Sequence, residues 1–233
     1  MQITPYLENK ISSLQRSFKM ASSFDFIKLD SSSPNKPHLA AQYKSLRLTA
    51  LQLSPDAFSS TYADESQYSD AAWLGRIFHP AKKTFICVDK EDGTWAAQVT
   101  LLGPITKATY TLPDEAGQPA VKSDDEEEKW QMIGLYTLPD YRGKGLGKIL
   151  CKEAFKHLTE TRGGPRDIRV RIMVKPQNTV TVRLYRSMGF VEAGMCTLEE
   201  ALSVNGEDIP ENPPADKYRT RAGYIMALQL ERQ

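Results

Sequence analysis

Apolar residues along this chain change period several times, and each change marks an element. Over 24–30, Phe24, Phe26 and Ile27 alternate with charged residues. This predicts a first strand, which the polar, proline-containing stretch 31–37 breaks. Leu39, Tyr43, Leu46, Ala50 and Leu53 then recur at spacings of four and three, one apolar face of a helix that Ser54-Pro55 stops. A further short segment starts there. Over 69–78, Trp73 and Ile77 share a face behind Ser69 or Asp70 as N-cap. The runs 83–89 and 94–103 are strand-like, and Lys90-Glu91-Asp92-Gly93 between them is a hairpin signal. A loop carrying Pro104, Pro113, Gly117 and Pro119 follows and ends in the acidic run 123–129, after which 130–138 reads as another strand.

The second half is more regular. Leu146, Ile149, Leu150, Ala154, Phe155 and Leu158 mark an amphipathic helix that Gly163-Gly164-Pro165 closes. Ile168, Val170, Ile172 and Val174 alternate with Arg169, Arg171 and Met173, as in a strand. Residues 178–188 are helical, with Asn178 at the start and Gly189 at the stop. A strand over 190–196, a turn-rich stretch over 203–217 and a last strand over 223–230 complete the pattern. A hairpin followed by strand–helix–strand–helix–strand is α/β with a mixed sheet, and 130–175 requires a right-handed crossover. Residues 24–233 form one expected domain. Residues 1–23, serine-rich with a weakly helical patch over 11–20, form an expected extension.

Composition narrows the function. At 233 residues and 40 % hydrophobic, the chain suits one large domain with a real core. A net charge of +1 supplies no overall field toward nucleic acid or membrane. No apolar run is long enough to span a bilayer, and the first 30 residues lack the pattern of a signal peptide. Cys87, Cys151 and Cys196 are odd in number and have no zinc-ligand spacing. The default expectation is a reduced, cytoplasmic, metal-free protein.

The chemistry concentrates in Tyr141–Leu150, where three glycines and three cations precede the apolar face of a helix. The P-loop pattern fails, because Arg142 and Ile149 stand where glycine and Ser/Thr belong. The dinucleotide pattern fails at Lys148. Arg142-x-x-Gly145-x-Gly147 between a strand and a helix remains. Unpaired N–H groups at a helix start, with roughly half a positive charge from the helix dipole, favour an anion. Arg142, Lys144 and Lys148 add cations. The plainer alternative is a glycine-rich turn with solvated lysines.

Residues 178–190 add a second motif: Asn178, then Leu184-Tyr185 and Gly189-Phe190. With both motifs in this order, the chain resembles the GNAT superfamily of acetyl-CoA-dependent N-acetyltransferases. Only Thr181 departs from the second motif, where the family has a small residue. Residues 43–62 look like the family's first helix and following loop, and 224–230 like its closing strand. The resemblance covers roughly 24–230. It implies a mixed, mostly antiparallel sheet of six to seven strands, with splayed central strands and flanking helices. It also implies acetyl-CoA as cosubstrate. The backbone of Leu135, Tyr136 and Thr137 would bond the pantetheine arm. The segment Arg142, Gly143, Lys144, Gly145, Leu146 and Gly147 would cradle the pyrophosphate, with Lys148 opening the helix beneath. Asn178 would bond the cofactor arm, and Tyr185 would protonate the leaving thiolate. The plainer reading of Tyr185 is a core aromatic beside Leu184 and Met188.

An alkyl amine with a pKa near ~10.4 must lose a proton before it attacks. Family members often use a glutamate on the fourth strand, where this chain has Gln131. Glu128 is the expected catalytic base, reaching through water with Glu126 and Glu127 nearby. The alternatives are that 124–128 is a solvated acidic loop or that it draws in a cationic substrate. Arg169 and Arg171 share a strand face and read as solvated or ion-paired. The expected activity is acetyl transfer from acetyl-CoA to a primary amine of a small molecule or peptide, by direct attack in a ternary complex, in a monomer or homodimer. The rivals are a non-catalytic acyl-CoA-binding module and an interaction protein docking through 1–23 and 104–128. Nucleic-acid binding lacks a basic, aromatic-interleaved stretch.

Overall fold

Among the described residues, alternation in the sequence becomes seven strands in one sheet. The structure is a computed structural model and describes residues 23–233. The expected N-terminal extension therefore lies outside the described residues, apart from Ser23. The strands are β1 (Phe24–Lys28), β2 (Lys82–Asp89), β3 (Trp95–Leu102), β4 (Glu127–Thr137), β5 (Asp167–Val174), β6 (Val191–Cys196) and β7 (Gly223–Glu231). They lie in the order β1-β2-β3-β4-β5-β7-β6. Every neighbouring pair is antiparallel except β4 with β5. The longer helices are α1 (Lys36–Leu53), α2 (Asp70–Ile77), α3 (Leu146–Glu160), α4 (Thr179–Arg186) and α5 (Leu198–Asn205). No helix among the described residues is long and apolar enough to cross a membrane.

The two faces of the sheet differ chemically. Phe85, Cys87, Val99, Leu101, Trp130, Met132, Ile168, Val170 and Ile172 form an apolar face under Leu146, Leu150, Ala154 and Phe155 of α3. Over β1–β3 the opposite face packs Ile86 and Trp95 against Tyr43, Leu46 and Ala50 of α1 and Trp73 and Ile77 of α2. Further along that face run Thr84, Gln98, Thr100, Lys129, Gln131, Arg169 and Arg171, all buried. Such a layer is stable only when its members are paired.

Two departures from the sequence expectations matter. First, β4 begins at Glu127, three residues before the expected strand. Its acidic start is not solvated. Glu127 is buried and accepts from Arg169 Nε at 3.0 Å, and Glu128 is ion-paired with Arg232. Arg169 is thus ion-paired, as one reading held. Arg171, fully buried, instead lies 3.8 Å from the Tyr110 ring centroid and donates to Gln131 and to the Tyr110 carbonyl. Second, α5 fills 198–202, for which no element was expected, and runs three residues into the stretch 203–217 expected to be turns. A capping box opens it: Thr197 Oγ1 accepts from the Glu200 N–H, and Glu200 accepts from the Thr197 N–H.

Candidate active site

The site arises where β4 and β5 part. Their parallel pairing runs from Glu127↔Asp167 to Gln131↔Arg171 and stops, although β4 continues to Thr137 and β5 to Val174. Beyond Gln131, the β4 edge that faces β5 has no strand partner. A bulge sharpens the divergence. Between Gln98↔Tyr136 and Thr100↔Ile133, β4 carries one extra residue, at Gly134-Leu135. Gly134 has φ +65°, a conformation glycine adopts without strain, and its carbonyl accepts from Gln98 Nε2 at 3.3 Å. The extra residue reverses the side-chain phase. Leu135 joins Met132 on the apolar face, and Tyr136 turns to the opposite one.

A cavity of about 1540 Å³ fills the gap. One end abuts the glycine loop. Gly143 and Gly145 have φ +74° and +78°, and Gly145 is the N-cap of α3 with no side-chain cap on the helix. The first N–H groups of α3 are therefore left for an outside acceptor. A Cβ built on Gly143 would meet nothing within 4 Å, whereas one on Gly147 would lie 3.4 Å from Thr137 Oγ1. Glycine at 147 thus brings α3 close against the end of β4.

The cavity brings together most of the residues singled out from the sequence. Leu135, Tyr136, Thr137, Arg142, Gly143, Gly145, Leu146, Gly147, Lys148, Asn178 and Tyr185 all line it. Two do not. Lys144 is exposed with its ammonium over the Tyr141 ring, 4.8 Å from the centroid. Glu128 is the correction: it stands at the closed end of β4, opposite Ile168, tied to Arg232 and outside the cavity. A carboxylate held there is not available to a proton in the gap.

Several lining side chains already have structural partners. Arg142 Nε donates to the Thr137 carbonyl at 3.0 Å and Nη2 to Ser54 Oγ at 3.0 Å. Lys148 Nζ donates to the Ser187 carbonyl and hydroxyl, joining α3 to the end of α4. Asn178 Oδ1 caps α4 by accepting from the Thr181 N–H at 3.3 Å. Tyr185 packs against Phe190 at 5.3 Å between ring centroids. It is both a core residue and a lining residue of the cavity. Burial, with the Cys151 thiol beside it, pushes its phenol far above the ordinary tyrosine range. The phenol therefore stays protonated across the physiological pH range.

A roof closes the other side. Lys175 Nζ donates to the carbonyls of Asp56 and Phe58 at 2.9 and 3.2 Å, strapping the loop after α1 to the end of β5. Phe58 stacks near Tyr136 at 5.6 Å, and Arg47 lies over Phe58 at 4.4 Å.

Beneath the roof is a charged group that sequence reasoning missed. Glu65, fully buried, accepts from Arg47 Nη2 at 2.7 Å, Ser60 Oγ at 2.6 Å and Arg76 Nη2 at 3.2 Å. Burial raises its pKa, but the hydrogen bond and charge of Arg47 and the charge of Arg76 outweigh burial and hold it below the usual value. Arg76 also faces Glu207 Oε1 at 3.6 Å. Glu207, after α5, lines the cavity, and its Oε2 has no hydrogen-bond partner among the described residues. Burial raises the Glu207 pKa despite the Arg47 and Arg76 charges. These residues are far apart in sequence, and no local pattern links them.

Known proteins share this architecture. The model of the Acetyltransferase (GNAT) family matches residues 49–190. A GNAT-family acetyltransferase from Streptococcus pneumoniae superposes with a TM-score of 0.57 at 18 % identity, over 89 % of this chain and 99 % of that one. Arabidopsis thaliana NAA60, solved with a bisubstrate analogue, gives 0.56 at 15 % identity over 90 % and 100 %. Spermidine N-acetyltransferase from Vibrio cholerae, solved with CoA and spermine, gives 0.50 at 15 % identity over 89 % and 96 %. At these identities the likeness is one of fold. A sequence search of curated proteins finds no match.

Proposed function

Because the chain belongs to the GNAT acetyltransferase family, we propose that it transfers acetyl from acetyl-CoA to a primary amine by direct attack in a ternary complex. The observation that carries this reading is the parting of β4 from β5 beyond Gln131, with an uncapped helix N-terminus at the mouth of the gap. Extended backbone on β4 suits a pantetheine arm, and the N–H groups after Gly145 suit a pyrophosphate. The three-residue approach of Gly147 to Leu135 and Thr137 keeps these two subsites contiguous.

Each residue then has a task. Leu135, Tyr136 and Thr137 hold the arm and aim the thioester into the gap. Gly143 and Gly145 open the backbone to phosphate oxygens. Arg142 and Lys148 add positive charge while bracing the loop against Thr137 and the end of α4. Asn178 starts α4 in the register that brings Tyr185 to the gap. A backbone N–H of β4 meets the oxyanion. The neutral amine nitrogen forms its bond to the carbonyl carbon, the C–S bond breaks, Tyr185, kept protonated by burial, gives its proton to the departing sulfur, and the proton that the nitrogen sheds restores Tyr185 through solvent.

Calorimetric titration with acetyl-CoA, with NADH and ATP as controls, followed by thiol release with amines, tests this reading. Saturable binding of acetyl-CoA alone is expected. No binding by folded protein would overturn it. Gln131 at the customary position of an acid favours a second reading, a non-catalytic acyl-CoA-binding module. Binding without thiol release across an amine panel would select that reading.

A further inference from the structure

The acceptor end of the cavity contains a carboxylate and a set of cations that the acetyl-CoA half does not use. Asn205, the last residue of α5, accepts from Gln131 Nε2 at 3.2 Å. Gln131 is the last β4 residue paired with β5, so this bond pins the end of α5 to the point where the strands part. Glu207 follows two residues later and lines the same cavity as Gln131 and Thr100. The acid that β4 lacks at 131 is thus supplied by another element lining the same cavity.

The Glu207 side chain is 16 % exposed, one oxygen faces Arg76, and the other has no hydrogen-bond partner among the described residues. A buried carboxylate oxygen without a donor is costly unless something completes it. An ammonium group is the natural donor. The surrounding charges add a second requirement. Leaving aside the exposed Asp208, Arg47, Arg76 and Lys82 stand against Glu65 and Glu207, one more cation than anions. Arg47 is committed to Glu65 and Ser60. Lys82 lines the cavity, and burial and the nearby Arg76 charge lower its pKa. A plain ammonium entering here would add to a surplus of positive charge. An ammonium that brings its own carboxylate would not.

We propose that Glu207 receives the acceptor amine and takes its proton, and that Arg76 and Lys82 select an acceptor carrying a carboxylate near that amine, an amino acid in the chemical sense. This rests on the acetyltransferase reading and adds the base and the acceptor class. The ammonium gives one proton to Glu207. The freed lone pair forms the C–N bond, the C–S bond breaks, and the sulfur leaves as a thiol with the Tyr185 proton. The second proton of the nitrogen restores Tyr185 through solvent, and Glu207 releases its proton to solvent. The products are the N-acetyl amino acid, CoA and one proton. The charged and titratable groups facing Glu207 are Arg47, Arg76, Glu65, Lys82 and Tyr68. Against them burial still dominates, so the Glu207 carboxyl titrates above the ordinary glutamate range.

The test is thiol release from acetyl-CoA with the twenty protein amino acids, β-alanine and γ-aminobutyrate, each beside its methyl ester and its decarboxylated amine. Acetyl-CoA binding is followed by calorimetry in parallel. At least one amino acid is expected to turn over, with kcat/KM at least tenfold above its ester and its amine. Lys82→Met should raise KM for that amino acid and leave the ester unchanged. Glu207→Gln should keep acetyl-CoA binding and lower kcat by about a hundredfold, the usual scale of a positioned base. It should also remove the acidic limb of the kcat/KM–pH profile. If acetyl-CoA binds but no amino acid is acetylated, or the amines are preferred, the acceptor class is wrong. An unchanged acidic limb in Glu207→Gln removes Glu207 as the base. Loss of acetyl-CoA binding in the unaltered protein overturns the underlying reading instead.

Discussion

Removing the Glu65 carboxylate should be among the most damaging single changes in this protein. Glu65 and Arg47 are almost fully buried, at 0 % and 3 % exposure. Arg47 reaches Glu65 through both Nε and Nη2, and Ser60 and Arg76 add hydrogen bonds to the same carboxylate. Glu65→Ala strands the Arg47 guanidinium in the interior without its counter-charge, which costs about 3–5 kcal/mol. A domain of this size loses about 2–4 °C of melting temperature per kcal/mol, so the drop should be roughly 6–20 °C. Thermal unfolding by circular dichroism, checked by urea unfolding, measures it. The double variant Arg47→Met/Glu65→Leu should be markedly less damaged, because it removes both charges and leaves apolar volume. The pH dependence has a defined sign. The Glu65 pKa is lower in the folded protein than its ordinary 4.5. Its contribution is therefore complete above that value and is lost as pH falls through the lowered folded pKa. Glu65→Ala should flatten the stability profile in that acidic window. A loss below about 1 kcal/mol, or a double variant as unstable as the sum of the singles, would refute the buried-pair argument.

Three further changes probe the cofactor half. Gly145→Glu puts a side chain on backbone at φ +78° and a carboxylate beside the proposed pyrophosphate. Strain costs about 1–3 kcal/mol of stability. Two like charges about 5 Å apart at an effective dielectric of about 20 repel by roughly 3 kcal/mol. Calorimetry should then show acetyl-CoA affinity falling at least a hundredfold, and normal binding would remove the cradle assignment. Tyr185→Phe keeps the packing against Phe190 but removes the phenol proton, so kcat should fall about a hundredfold with acetyl-CoA KM nearly unchanged. Full activity would leave Tyr185 as a core residue only. Lys175→Ala cuts the strap from β5 to the Asp56 and Phe58 carbonyls. Hydrogen–deuterium exchange should quicken over 55–60 while β5 stays protected, and an unchanged pattern would mean the strap does not hold the roof.

The two halves of the site differ in how far the sequence announces them, and the difference is physical. In the proposed reading, the acetyl-CoA half would recognise its ligand through backbone. A positive φ needs glycine at a given position, a helix start needs Asn178 or an open N-cap, and a hairpin needs Asp92-Gly93. Each is a short-range requirement and so leaves a short-range signature. The acceptor half is made of side chains whose partners lie at a distance: Arg47 with Glu65, Arg76 with Glu207, Gln131 with Asn205. Nothing in the turn-rich surroundings of Glu207 marks it as different from the exposed acids nearby. The same limit applies to Glu128, whose partner Arg232 is distant in sequence. Three glutamates in a row read as solvated until β5 and β7 bring Arg169, Gln229 and Arg232 against two of them. One further signal is legible in the sequence: Thr197 and Glu200, spaced as a capping box, announce α5. Recognising that helix would have placed Asn205 at its end and Glu207 just beyond. It would still not have indicated which strand the helix end meets, because the Gln131 contact is set by packing on the sheet. Acceptor choice in such a fold can therefore drift by changing a few distant side chains while the glycine loop stays as it is.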